Sequence, residues 1–129
     1  MVARLVGRPW RRLKRAAKAL RKDSPDIRWH AVRIRANRCC YAAEAVAPVV
    51  GRQAGRFAAA IAAVQAILGD HQDTVMAGAW LRATGAAVSQ ACIAAGELIA
   101  AERQERARLR SRWPKVWKHA KAEKLRRWL

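Results

Sequence analysis

Between Trp29 and Val46 the apolar residues stand at Trp29, Val32, Ala36, Cys39, Ala43 and Val46, separated by alternating steps of three and four. That rhythm returns a side chain to the same face of an α-helix on every turn. It does not suit a strand, whose faces alternate at every second residue. The rest of the chain keeps the same period. A first helix is expected from Pro9, a favoured first-turn residue, to about Lys22. It sets Trp10, Leu13, Ala17 and Leu20 against Arg11, Lys14, Arg15, Lys18 and Lys22 on the opposite face. Ser24-Pro25-Asp26 predicts the start of the second helix, with a capping hydroxyl, proline at the first position and an acid in the first turn. That helix is expected to stop near Ala47, before Pro48 and Gly51.

A third helix, Arg52 to Leu68, aligns Phe57, Ile61, Val64 and Leu68, with alanines allowing close neighbours and Gly69 as its natural end. Asp70 or Asp73 would cap a fourth helix carrying Val75, Met76, Ala79 and Trp80 and ending near Gly85. A fifth sets Val88, Cys92, Ala95 and Ile99 on one face, breaks or kinks at Pro114, and leaves a basic tail, Lys115–Leu129. No segment alternates as a strand would. The expected fold is therefore all-α, an antiparallel bundle of four to six helices. It forms one domain over residues 1–129, with Trp29, Val32, Phe57 and Trp80 in its core.

Charge is distributed unevenly along this pattern. The formal net charge is +18, and residues 1–38 carry 13 basic and 2 acidic side chains. Residues 39–101 carry 3 basic and 4 acidic groups, and residues 102–129 carry 11 and 3. A near-neutral apolar middle between two cationic ends produces a field that attracts nucleic acid, polyphosphate or anionic lipid. Solvated faces usually mix signs, yet Asp23 is the only acid between Met1 and Pro25. A one-sign stripe along two successive helices is better explained by an anionic partner than by solvation. The tail cations, Arg103 to Arg127, are less informative, because Glu102, Glu105 and Glu123 accompany them. Trp113, Trp117 and Trp128 read as packing anchors rather than base-stacking platforms.

Cys39, Cys40 and Cys92 have no metal-ligand spacing, and an odd count in a chain without an apolar leader fits a reducing cytosol. The longest apolar run, Phe57–Leu68, is too short to span a bilayer, so a soluble protein is expected.

On a wheel of about 100° per residue, Arg33, Asn37 and Glu44 fall within roughly 60° of His30 on one side. Ile27, Ile34 and Tyr41 fall within roughly 60° on the other. His30 and Arg33 are thereby flanked by apolar residues in a partly covered groove. The plain alternative is a satisfied core histidine, with Arg33 paired to an acid such as Asp73. Arg35 and Arg38 on the same helix, and five cations on the preceding one, favour the binding role. The Ile27, Ile34, Tyr41 face needs cover, which predicts a homodimer or a companion bundle.

Catalytic signals are sparse: there is no paired-carboxylate motif, Gly-rich phosphate loop or nucleophile elbow. Asp70-His71-Gln72-Asp73 reads as a capping loop rather than a metal site. Neither enzyme activity nor a metal or cofactor is expected.

His30 to Glu44, H-x-x-R-I-R-A-N-R-C-C-Y-A-A-E, followed by Gln65-Ala66-Ile67-Leu68-Gly69-Asp70-His71-Gln72-Asp73, resembles the CHAD family of conserved-histidine α-helical domains. The resemblance covers roughly Pro9 to Trp128 and is to the C-terminal half of that family's double bundle. It implies a non-catalytic, cytoplasmic domain whose basic groove binds inorganic polyphosphate, with association to polyphosphate granules. His30 and Arg33 match the family's groove-facing pair, and Arg38 a basic position beside it. Lys14 and Lys18 match the family's basic helix, and Asp73 an acid that orients a groove cation. Asn37 and Cys40 stand where the family more often places a cation. With the charge stripe, the candidate binding set is Arg11, Lys14, Arg15, Lys18, His30, Arg33, Arg35 and Arg38. The competing classes are a basic nucleic-acid-binding protein, although no named motif is present, and a helical regulatory subunit that docks a second half-bundle.

Overall fold

The computed structural model describes residues 2–87 and 92–129. They form four α-helices, α1 (Val2–Ala19), α2 (Asp26–Val50), α3 (Arg52–Ala87) and α4 (Cys92–Ala120), and a closing 3-10 turn, Glu123–Arg126. The central helix is α3, which packs against both α2 and α4. α1 lies on α2, and the closing turn returns to α3. The expected fifth-helix position Val88 lies outside the described residues.

The buried stripes follow the sequence rhythm. Trp10, Leu13 and Ala17 of α1, the whole Trp29-to-Val46 stripe of α2, and Phe57, Ile61, Val64 and Leu68 of α3 are all buried. Trp10, Phe57, Trp117 and Trp113 stand in ring-to-ring contact, with centroids 5.6–5.8 Å apart. Trp29 meets Trp113 edge-on at 5.8 Å, and Trp128 caps the far end against Phe57 at 5.9 Å. Arg126 covers Trp10, its guanidinium 4.5 Å from the ring centroid. Aromatic pairs in such geometries add about 0.5–1.5 kcal/mol each beyond their burial. The three tail tryptophans are therefore packing anchors.

Several expected helix boundaries are overridden. α1 begins before Pro9, because Val6 continues the buried stripe one turn upstream and is fully covered. α2 runs through Pro48 and ends at Gly51, whose φ of 99° suits glycine. Ser24 does not cap α2. Pro25 occupies the N-cap without a side-chain bond, and the Ser24 hydroxyl instead accepts the Arg21 N–H at 2.8 Å, closing the α1–α2 turn.

The third and fourth expected helices are one. Gly69 does not end α3, and Asp70 and Asp73 cap nothing, because the buried register of Ile61, Val64 and Leu68 continues through His71 and Thr74. An interior glycine costs a helix about 1 kcal/mol, and packing on both sides of it offsets that. Likewise α4 passes through Pro114, which is exposed, because Leu109, Trp113 and Trp117 are buried on either side of it. Trp80 is 64% exposed and lies outside the core. Beyond Thr74 and Arg106, α3 and α4 continue as a hairpin away from the start of α2. Where they meet, a Cβ added at Gly85 would stand 2.6 Å from that of Ala95.

Candidate functional site

Two groups of polar side chains are organised by this fold, and they do different work. The first ties the start of α2 to α3 and α4. Arg110 donates from Nη1 to the carbonyls of Lys22 (2.9 Å) and Ser24 (2.7 Å), and from Nη2 to Asp26 Oδ1 at 2.7 Å. Its Nε–H donates to His71 Nε2 at 3.0 Å, so the neutral ring carries its proton on Nδ1, which finds no hydrogen-bond partner among the described residues. Arg106 reaches the other Asp26 oxygen at 3.6 Å and donates to the hydroxyl and carbonyl of Thr74 at 3.1 and 3.2 Å. His71 is buried in the interior of α3 rather than exposed in a capping loop, and its ring stacks on Trp29. Burial first, and the neighbouring Arg110 next, push its pKa down to about 4, against the opposing pull of Asp26. Asp26, not Asp73, is the acid that holds cations in place, and Arg33 forms no salt bridge with any acid among the described residues.

The second group lies on the α1–α2 seam. Arg8 and Arg12 of α1 converge with Arg35 and Arg38 of α2 around a depression of about 200 Å³ that also includes Pro9. No acid lines it. The Arg12 guanidinium is held below its ordinary range by Arg8 first, then by desolvation, Arg35, Arg38 and Arg15. Four like charges brought together without a counter-charge repel one another, a cost that a bound polyanion would remove.

The candidate residues fall on three parts of this surface. Arg35 and Arg38 are in the cluster, and Arg15 stands near enough to bias Arg12. Arg11, Lys14 and Lys18 are exposed on α1. His30 and Arg33 are half-buried on the other flank of α2, since Arg33 and Arg35 lie about 160° apart around the helix. On that flank His30 Nδ1 and Asn37 Oδ1 are buried without a hydrogen bond among the described residues. Arg8 and Arg12 are not among the residues the sequence pattern points to. A helix that starts at Pro9 excludes Arg8, and its expected charged face does not include Arg12. The signal was nonetheless present, because positions 8, 12 and 15 follow the i, i+4, i+7 spacing of one helix flank.

No helix among the described residues is long and apolar enough to cross a membrane. The described residues also contain no group of three or more His, Cys, Asp or Glu able to hold a metal ion. Fold and site together define an all-helical module with an unneutralised cationic seam on its outer face. The chain belongs to the CHAD domain family, whose model matches residues 1–82, covering α1, α2 and most of α3. Domains of this family are associated with polyphosphate binding and are generally non-catalytic. No curated protein and no solved structure gives a significant match to the chain.

Proposed function

We propose that the chain binds inorganic polyphosphate without catalysing its turnover, with residues 1–129 acting as one module. The observation that carries this reading is the convergence of Arg8, Arg12, Arg35 and Arg38 on the seam between two helices, with no acid among the described residues lining it. Guanidinium groups offer paired N–H donors to phosphate oxygens and keep their charge at any physiological pH. A phosphate chain on the seam is flanked by Arg11, Lys14, Arg15 and Lys18 along α1. His30 and Arg33 form a second contact for a chain long enough to pass around α2. Their half-buried setting, with His30 Nδ1 and Asn37 Oδ1 unpartnered, supports a polar ligand there. Binding releases condensed counterions, so affinity falls steeply with salt and needs no metal.

The test is a polyphosphate titration at two salt concentrations, with helicity checked by circular dichroism. Replacing Arg12, Arg35 and Arg38 by Gln should weaken binding much more than replacing the exposed Lys118 and Lys121. Replacing His30 and Arg33 should weaken long chains and spare short ones. Equal losses in all folded variants would reduce the face to a generic basic surface of the kind a nucleic-acid-binding protein shows. Turnover of polyphosphate by the purified chain would refute the non-catalytic part.

We further propose that a second copy or a companion half-bundle covers the remaining apolar surface. Ile27, Ile34 and Tyr41 on α2, with Met76, Trp80, Ile93 and Leu98 on the α3–α4 hairpin, are all exposed. Sedimentation at micromolar concentration tests it, and a clean monomer that binds no hydrophobic dye would refute it.

A further inference from the structure

A trough runs along α3, α4 and the closing turn, on elements that include neither α1 nor α2. It consists of two depressions of about 630 and 520 Å³ that meet at Ala63 and His119. Its floor is apolar, made by Ala59, Ala60 and Ala63 with Val116, Leu125 and Trp128. The Trp128 ring is fixed there, because its Nε1–H donates to the Leu125 carbonyl at 2.7 Å and Phe57 meets it edge-on. Its rim is cationic: Arg56, Lys124 and Arg127 line one depression, Arg112 and Lys115 the other, and His119 stands between them. Among the described residues no carboxylate lines either part, although Glu123 lies in the same turn.

Floor and rim together select a two-part ligand. A bare phosphate chain satisfies the rim and gains nothing from the floor. An uncharged aromatic satisfies the floor and leaves the rim unneutralised. The volume is that of a small-molecule site. An indole held in one orientation beside small side chains suits a flat ring better than a flexible acyl chain, because rigid planar groups stack with little entropy to lose. We propose that this trough is a nucleoside triphosphate site, with the base on the floor around Trp128 and the phosphates on the basic rim. It is separate from the arginine seam.

The experiment is calorimetric titration of the full chain with ATP, inorganic triphosphate and adenosine. ATP should bind about tenfold tighter than triphosphate, a gap of about 1.4 kcal/mol, and adenosine more weakly still. Ala63→Leu fills the floor at an exposed helical position where leucine costs little. It should weaken ATP about tenfold with helicity unchanged, and Lys124→Gln with Arg127→Gln should do the same. The Arg12, Arg35, Arg38 triple variant should keep its ATP affinity while losing polyphosphate, which separates this site from the seam. Undetectable ATP binding, equal affinity for ATP and triphosphate, no effect of Ala63→Leu, or loss of ATP binding in the triple variant would each overturn the assignment.

Discussion

The imidazole of His71 lies parallel to the indole of Trp29, with ring centroids 4.8 Å apart and planes inclined by 14°. The arrangement requires a neutral ring, because Nε2 accepts a hydrogen bond from Arg110 and has no room for a proton. Asp26, Arg106 and Arg110 are the charged groups around it, and they leave its pKa at about 4. A histidine depressed in the folded state contributes stability that is fully present above its unfolded value of 6.5 and is lost as pH falls toward 4. Urea midpoints should therefore fall between pH 6.5 and pH 4. In His71→Gln, which keeps an acceptor for Arg110, that slope should flatten relative to the parent.

Arg110 satisfies two backbone carbonyls, a carboxylate and an imidazole with one planar group. Removing it as Arg110→Met leaves Asp26 Oδ1 without that partner and strips two carbonyls of theirs. The expected cost is about 2–3 kcal/mol in chemical denaturation. Arg110→Lys should restore little of it, because an ammonium on a flexible stem cannot reach four acceptors at once.

The three cysteines should react in two classes. Burial, then the neighbouring Cys40, pushes Cys39 up to about 12, and burial, then its bond to Glu44, pushes Cys40 up to about 11. Cys92 is exposed. Iodoacetamide at pH 8 should label Cys92 alone in the native protein and all three cysteines in urea, as read by mass spectrometry.

Gly85→Ala would ordinarily stabilise a helix by about 1 kcal/mol. Here the new methyl would stand 2.6 Å from Ala95 Cβ, so the helices must part. The variant should melt lower than the parent. Pairing it with Ala95→Gly should recover the loss.

The buried stripes were legible in the sequence because a three-four rhythm survives any local detail. Every position from Trp29 to Val46 on that rhythm is covered. Boundaries were less legible, and for one reason: proline and glycine give local preferences of a few kcal/mol at most, whereas a continuous buried stripe acts over many residues. Pro9, Pro48 and Gly69 mark expected helix boundaries and Pro114 an expected break or kink, and all four lie inside helices. His71 shows the same effect, since it extends the buried Phe57, Ile61, Val64, Leu68 register through Gly69, the expected helix end. At the seam, Arg35 and Arg38 are legible from α2, whereas Arg8 requires the earlier start of α1 and Arg12 the i, i+4, i+7 spacing of positions 8, 12 and 15. Trp80, an expected core residue, is exposed, because apolar character says nothing about whether an element has a neighbour at that height.

The bond between Arg110 and Asp26 joins positions 84 residues apart in the sequence. The α1–α2 and α2–α3 hairpins close short loops, and closure of short loops is fast and entropically cheap. The Arg110 contacts have to wait until α4 has crossed back over nearly the whole chain. They should therefore be missing from the rate-limiting barrier to folding. A chevron plot of Arg110→Met should then show an unchanged refolding limb and a faster unfolding limb, which makes this arginine a determinant of how long the native state lasts rather than how quickly it is reached.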